Sequence, residues 1–204
     1  MSHYVVLVIG DDPESQLAPY DENIEVAPYC TGVVSEGEKQ YMLDYYNNQC
    51  GCKFSSFEEC YEAKGRDWNG NRYKFVDGEW KEFSTYNPNS KWDWYQLGGR
   101  WSGGFIKLKE GAEGEVGNGS LVMGNKAGVD QAYKRDIDFD KIDRKNFIPY
   151  AVLYQGLWIS RGEMGWFGVS MNEQYDEREW ENKVWELIDN ASDDTLFSFY
   201  DLHI

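Results

Sequence analysis

Uninterrupted apolar runs lie at both ends of the chain. Residues 3–10 (HYVVLVIG) and 194–204 (DTLFSFYDLHI) each have the length of a strand and are apolar on both faces. Such runs are typical of strands buried on both sides inside a sheet. A central position removes the most apolar surface from water, at roughly 25 cal/mol per Å². We therefore predict that the last strand, 195–203, lies next to the first, 3–9.

Helical periods occur in three other segments. Residues 173–190 place charged positions around one apolar stripe, which predicts an amphipathic helix packed across the first and last strands. Residues 35–48 and 55–65 predict two shorter helices, and the second of these has a serine cap and a closing glycine. The stripe of the long helix consists of Trp180, Val184, Leu187 and Ile188.

Two segments alternate around dipeptides that favour tight turns. Residues 71–83 alternate around Asp77-Gly78, and residues 147–162 have Gln155-Gly156 between two apolar runs. Both patterns predict β-hairpins.

Hairpins outnumber strand–helix–strand units, so the predicted fold class is α+β, with a mostly antiparallel sheet and helices on one face. Residues 103–111 predict one more strand. Six glycines between 111 and 128 predict a long Gly-rich loop, which in a compact domain is usually functional or mobile. We expect a single domain, 1–204, with a variable cysteine-bearing insertion at about 30–66.

The net charge of the chain limits the classes of partner that we expect. The chain has 36 acidic and 20 basic residues and a formal net charge of −16. Direct nucleic-acid binding is not expected, because it requires cations that neutralise several phosphates. An acidic surface keeps a protein in solution, and it can also imitate nucleic acid towards a basic enzyme. No apolar segment has the length of a signal peptide or a membrane span, so we expect a cytoplasmic protein without a membrane partner.

The cysteines leave two alternatives open. Reduced, partly buried thiols are expected in a cytosolic protein. Four thiolates can also hold a structural zinc ion, although the usual pair of closely spaced cysteine motifs is missing. We favour free thiols, and we predict neither a metal site nor a cofactor. The four residues are Cys30, Cys50, Cys52 and Cys60.

Two blocks combine arginine, glycine and tryptophan: NPNSKWDWYQLGGRWSGG at 87–104 and RGEMGWFG at 161–168. An arginine beside tryptophan can stack on a base or hold a phosphate, and glycine amides can add contacts to an anion. A pocket for a small anionic ligand, in particular a nucleotide, is therefore predicted between the blocks. Its candidate ligand-binding residues are Trp92, Trp94, Tyr95, Gly98, Gly99, Arg100, Trp101, Arg161, Glu163 and Trp166.

The same blocks also permit plainer interpretations. If residues 92–95 are extended, Trp92 and Trp94 share one face. Tryptophans between glycines can simply close the end of a sheet, with Asp93–Arg100 or Glu163–Arg161 as ordinary ion pairs. Trp, Tyr and Arg are also the residue types that dominate protein-binding patches.

Signals for an enzyme are few. The chain has no phosphate-binding Walker loop, no nucleophile elbow and no zinc-protease motif. His3 and His203 come together if the first and last strands pair, and with Asp201 they could bind a metal or transfer protons. Histidines satisfied at a sheet edge are the alternative. The carboxylates of Asp136, Asp138, Asp140 and Asp143 likewise suit either a divalent cation or a solvated acidic loop.

Five blocks of the chain form a recognisable combination: YDENIEV (20–26), STYNPNSKWDWYQLGGRW (84–101), VDQAYKRDIDF (129–139), RGEMGWFG (161–168) and the terminal DLHI. In these blocks the chain resembles a family of uncharacterised proteins from tailed bacteriophages and prophages. The resemblance implies a phage origin and action in the host cytoplasm during infection. It implies no particular activity and no catalytic residues.

Two departures from the family pattern matter. The cysteine-bearing stretch 30–60 matches the pattern least, which weakens the zinc alternative. Leu202 stands where the pattern leads us to expect a cysteine, so a catalytic thiol in the tail is excluded.

Three functions are compatible with these observations. The first is a phage accessory protein that binds a small anionic ligand, a nucleotide, and counters host defence by sequestering or degrading a signal. The second is an acidic inhibitor that occupies the nucleic-acid or nucleotide site of a host protein. The third is a hydrolase that uses the histidine and aspartate cluster.

Overall fold

The computed structural model describes residues 2–65, 72–119, 128–165 and 169–204. The chain divides into two compact units. The first consists of Met1–Ile24 and Asn87–Ile204, and the second of Glu25–Tyr86. The second unit contains the insertion predicted at about 30–66 and extends beyond it on both sides.

The strands in chain order are β1 (His3–Ile9), β2 (Tyr29–Val33), β3 (Tyr73–Val76), β4 (Glu79–Ser84), β5 (Trp94–Leu97), β6 (Gln131–Tyr133), β7 (Ala151–Tyr154), β8 (Leu157–Ser160), β9 (Glu163–Met164), β10 (Ser170–Met171) and β11 (Leu196–His203). The α-helices are α1 (Pro13–Leu17), α2 (Glu36–Asp44), α3 (Phe57–Cys60) and α4 (Glu177–Asn190).

The first unit is built on one mixed sheet. The strand order is β5–β11–β1–β7–β8, and β6 pairs with a second stretch of β11. β1 is parallel to β7, and every other pair in this sheet is antiparallel. The predicted class, α+β with a mostly antiparallel sheet, is confirmed. The hairpin of β7 and β8 is also confirmed, and its turn residues Gln155 and Gly156 have φ of 52° and 76°.

The last strand lies beside the first, as predicted. β1 and β11 are antiparallel partners along their whole length, from His3 opposite His203 to Ile9 opposite Phe197. Side chains alternate across the sheet, so Val5 and Leu7 pack on one face and Val6 and Val8 on the other. All four are less than 9% exposed, which is why both strands are apolar on both faces.

Helix α4 covers the face that carries Leu7, Phe197 and Phe199. Asp176 caps its first turn and Glu179 completes the capping box. The helix is held to the sheet by its apolar stripe and by the Trp180 indole N–H, which donates to the Pro149 carbonyl at 2.8 Å. The predicted stripe is buried throughout: Trp180, Val184, Leu187 and Ile188.

The opposite face has a smaller core. Leu17 of α1 and Trp92 pack there against Val6, Val8 and Leu202. The Trp92 indole N–H donates to the Leu17 carbonyl at 3.2 Å, which satisfies the one polar atom of this buried ring.

The second unit is a three-stranded antiparallel sheet, ordered β2–β4–β3, with α2 and α3. The predicted hairpin is confirmed, since β3 pairs with β4 around Asp77 and Gly78, both at positive φ. Both predicted helices form. Each continues past its α-helical part into one wider turn, at Tyr45–Gln49 and Tyr61–Gly65. The aromatic core of this second unit contains Phe57, Tyr61 and Trp80.

The strand predicted at 103–111 is wrong. Only isolated bridges occur there, at Ile106 and Leu108. Gly103 has φ of 67°, and its N–H donates to the Asp130 carboxylate at 2.6 Å rather than to a neighbouring strand. The predicted Gly-rich loop, 111–128, is described only at 111–119 and 128, where it has no regular helix or strand.

Candidate acid–base site

The two histidines of the chain meet at one end of the main sheet. His3 begins β1, His203 ends β11, and the two are direct partners in the antiparallel register. Ser2 and Ile204 beside them exchange two backbone hydrogen bonds of 3.1 Å. The histidines therefore form a non-hydrogen-bonded pair, the position where facing side chains are closest. Their ring centroids are 4.9 Å apart, which confirms the predicted proximity.

Each imidazole is held by its own carboxylate. Nδ1 of His3 lies 2.8 Å from Oδ1 of Asp201, and Nδ1 of His203 lies 2.6 Å from Oδ1 of Asp93. Because a carboxylate accepts, each Nδ1 donates, and Nε2 of each neutral ring is the basic atom. Neither Nε2 has a hydrogen-bond partner in the part of the chain that the structure describes. Both rings thus have the arrangement of a general acid or base oriented by a carboxylate.

The site is mostly buried and still open to solvent. The histidine side chains are 17% and 14% exposed, whereas Asp201 is 1% exposed and Asp93 is 36% exposed. A buried carboxylate requires partners for its oxygens, and Asp201 has them. Oδ1 accepts from His3, and Oδ2 accepts from the backbone N–H of Arg100 at 3.0 Å.

A tight turn after β5 fixes the position of Asp201. Gly98 and Gly99 have φ of 72° and 51°, a region that favours glycine. A Cβ on Gly99 would lie 2.3 Å from Cβ of Asp201, so only glycine permits this approach. The turn then continues as the 3₁₀ segment Gly99–Trp101, which brings the Arg100 amide over the carboxylate.

A second buried carboxylate holds the other side of this turn. Asp130 is 1% exposed and accepts from the Ser102 hydroxyl at 2.7 Å and from the N–H groups of Gly103 and Gly117 at 2.6 and 2.9 Å. A Cβ on Gly98 would lie 2.3 Å from its Oδ2. The close approaches that these glycines allow are therefore made by carboxylates of the chain itself.

Two side chains of β5 share the face of the histidines. Trp94 lies opposite His203 and Gln96 opposite Asp201 in the pairing of β5 with β11, so both share the face of the site. The Trp94 ring meets the His3 ring edge-on at 6.0 Å and remains 44% exposed. Arg100 is exposed and follows the turn that binds Asp201.

The prediction that Trp92 and Trp94 share one face is wrong. Residue 93 is a bend outside β5, so strand alternation does not extend across it. Trp92 is buried on the opposite face, where it meets the Tyr95 ring at 4.9 Å. Trp101 packs against the core under α4. Among the predicted binding residues of this block, Trp94 and Arg100 are the exposed ones.

The second block lies near the end of the sheet that carries the histidines, since the Ser2 hydroxyl, next to His3, donates to the Gly165 carbonyl at 3.0 Å. Residues of both blocks, Lys91 and Glu163 among them, line a small pocket of about 130 Å³. The Arg161 guanidinium lies 3.4 Å from Glu173, and Glu163 accepts from the Asn172 side chain at 2.7 Å. The suggested ion pairs Asp93–Arg100 and Glu163–Arg161 are therefore replaced by other partners. Trp166 lies outside the described residues.

The remaining candidate residues from the sequence are the four cysteines and the carboxylates of residues 136–143. The four cysteines form no disulfide: Cys60 is buried, Cys52 is half-buried, and Cys30 and Cys50 are exposed. Asp138 pairs with Lys141 at 2.6 Å. In residues 2–65, 72–119, 128–165 and 169–204, no group of three or more His, Cys, Asp or Glu is arranged to hold a metal ion.

The sequence grouped Asp201 with both histidines but did not identify the second carboxylate, Asp93. Asp201 is two residues before His203, so it lies on the same face of the last strand. Asp93 belongs to a different segment, and its backbone N–H donates to the His203 carbonyl at 3.0 Å across the sheet. A long-range backbone contact of this kind has no signal in local sequence.

No protein-family model, curated protein or solved structure matches the chain. Across the described ranges, no helix has the length and apolarity needed to span a bilayer.

Proposed function

We propose that the chain is a phage accessory protein that binds a small phosphate-bearing ligand, a nucleotide, at the His3–His203 pair and cleaves a phosphate ester there. The observation that carries the proposal is the pairing of two imidazoles, each held through Nδ1 by its own carboxylate. The resemblance to tailed-phage proteins supports a setting in the host cytoplasm. In that setting, removal of a nucleotide signal counters host defence.

The chemistry requires two proton transfers, and two imidazoles supply them. The neutral ring takes a proton through Nε2 from the attacking water as its oxygen bonds to phosphorus. The protonated ring donates its Nε2 proton to the departing alcohol oxygen as the P–O bond breaks. A diester thus gives a monoester and an alcohol, and proton exchange with solvent restores the two rings. Asp201 and Asp93 hold the rings and stabilise the imidazolium form.

The surroundings suit a nucleotide. Arg100 provides a guanidinium that can bind phosphate through two parallel N–H bonds. Trp94 offers an exposed indole face on which a base can stack, beside the His3 ring. Both residues are on the same side of the sheet as the histidine pair or on the turn that holds Asp201.

Binding is tested on the untagged protein with mononucleotides, dinucleotides and cyclic nucleotides, followed by melting temperature and tryptophan fluorescence. We expect at least one nucleotide to raise the melting temperature. Arg100→Gln should weaken that nucleotide about ten-fold or more, as expected for a hydrogen bond to a charged group. Arg135→Gln is the matched control, since Arg135 pairs with Asp136 and Asp194. Absence of any shift across the panel overturns the proposal.

An acidic inhibitor of a host protein is the second candidate, and the net charge of −16 favours it. The exposed side of α4 adds to this charge with Glu177, Glu179, Glu186 and Asp189. Such a complex should weaken steeply with salt, because exposed charges are screened within about 8–10 Å at physiological ionic strength. Capture from host lysate at low and high salt tests this, and the absence of any captured protein counts against it.

A further inference from the structure

A second cleft lies where α4 begins. It encloses about 770 Å³, within the roughly 300–1,000 Å³ typical of small-molecule sites. Its apolar lining includes Ile148, Pro149 and the half-buried ring of Tyr150. Trp180 also lines it but is only 2% exposed, and its indole N–H donates to the Pro149 carbonyl.

Cations dominate the polar lining of this cleft. Lys145, Arg161 and Arg178 line it together with two acids, Glu177 and Glu181, so the lining is less acidic than the chain as a whole, whose net charge is −16. Lys145 and Arg178 form no ion pair with any acidic residue that the structure describes. In so acidic a protein, unpaired cations that converge on one concave surface point to a negatively charged ligand.

Arg161 has unused donors at the same place. Its Nε is buried, lies 3.4 Å from Oε1 of Glu173, and is not aligned for a hydrogen bond. Its second contact to Glu173, from a terminal nitrogen, is also 3.4 Å long. A guanidinium has five N–H donors in a fixed fork, and among the residues that the structure describes its one hydrogen bond is the long one to Glu173.

We infer that this cleft binds a small aromatic anion, with the ring system against Ile148 and Tyr150 and the carboxylate or phosphate between Arg161 and Arg178. The site is separate from the histidine pair, because neither histidine lines it.

Isothermal titration calorimetry with 2-naphthoate tests the inference. We expect one binding site and at least ten-fold weaker binding of acetate, which lacks the rings, and of 2-naphthylmethanol, which lacks the charge. Arg161→Gln and Arg178→Gln should each weaken 2-naphthoate about ten-fold. Arg135→Gln should leave its affinity unchanged. Arg178 is exposed, so its variant should fold even if the Arg161 variant does not.

Several results would overturn it: no binding of 2-naphthoate, equal binding of the neutral alcohol, or unchanged affinity in Arg178→Gln. A His3→Asn, His203→Asn double variant keeps the two proposals apart. It should bind 2-naphthoate as the wild type does. Loss of 2-naphthoate binding in that variant would place the anion at the histidine pair and contradict a second site.

Discussion

His3 and His203 face each other across the two central strands, with ring centroids 4.9 Å apart and ring planes at 65°. The closeness follows from register, since the first and last strands pair antiparallel and the histidines are direct partners. Two imidazoles so placed can reach one substrate, one as acid and the other as base.

The carboxylates should control which ring nitrogen carries the proton. In the wild type each Nδ1 donates to a carboxylate. Asp201→Asn should shift the neutral His3 ring towards the tautomer protonated at Nε2, and Asp93→Asn should do the same for His203. The chain has two histidines, so ¹⁵N NMR of the untagged protein resolves each ring. Asp194→Asn, which alters a carboxylate paired with Arg135, is the control. Unchanged ring shifts in both site variants would contradict the assigned contacts.

Gly99→Ala should destabilise the protein more than Gly156→Ala. Both glycines have positive φ, at 51° and 76°, so each alanine has a backbone penalty of about 1 kcal/mol. Only at Gly99 would the new Cβ meet another group, at 2.3 Å from Asp201 Cβ, whereas Gly156 has open space. The free energy of unfolding in urea measures the difference. Equal losses of unfolding free energy in the two variants would show that a Cβ at position 99 does not clash with Asp201.

Removal of the last ten residues should abolish the fold. The deletion takes away Phe197, Phe199 and Leu202, each 2% exposed or less, from the strand between β1 and β5. We expect an insoluble chain or one that melts far lower, since single losses of buried Phe or Leu side chains already cost about 2–5 kcal/mol. A truncated chain that keeps its near-ultraviolet dichroism would contradict the sheet order.

Stability should fall at alkaline pH through buried tyrosines. Burial raises the pKa of the Tyr4 hydroxyl well above its ordinary value of 10.0, and Tyr150 and Asp93 act in the same direction. Above pH 10 the unfolded chain therefore loses this proton while the folded chain keeps it, so stability decreases as pH rises. The loss is about 1.4 kcal/mol per pH unit for one such group.

Tyr4→Phe isolates this contribution. The variant loses the hydroxyl bond to the Lys91 carbonyl, so it should be less stable than the wild type at pH 8. Between pH 10 and 11 its stability should fall less steeply. Urea unfolding at pH 8, 9, 10 and 11 measures both effects. Parallel curves for the two proteins would contradict the role of Tyr4.

The parts of the fold that depend on local periodicity and burial could be predicted from the sequence. Two runs apolar on both faces predicted the β1–β11 pair, and the stripe with Trp180 and Val184 predicted how α4 packs. The pairing of the histidines followed from these. The segment 103–111 has the composition of a strand, but Gly103 at its start donates to the Asp130 carboxylate and residues 106–109 make only isolated backbone bonds, to 129 and 136–138, which local pattern does not reveal. The partner of His203 was missed for the same reason.

The candidate ligand-binding residues show the same difference between local pattern and long-range contacts. Composition identified Trp92 and Trp94 as similar, yet a bend at residue 93 sends one into the core and leaves the other at the surface. The glycines at 98 and 99 were predicted to contact a ligand, and the space beside them is occupied by Asp130 and Asp201. Aromatic and glycine content therefore did not separate exposed side chains such as Trp94 from those that support the turn.

The rate of phosphodiester hydrolysis by the untagged protein tests the acid–base pair most directly. Bis(4-nitrophenyl) phosphate and a panel of dinucleotides and cyclic nucleotides are the substrates, and the variants are His3→Asn and His203→Asn, with Arg135→Gln as the control. We predict turnover by the wild type and the control, and a loss of about 100-fold or more in each histidine variant at an unchanged melting temperature. A wild type inactive on every substrate, or a histidine variant that keeps the wild-type rate, would contradict the account.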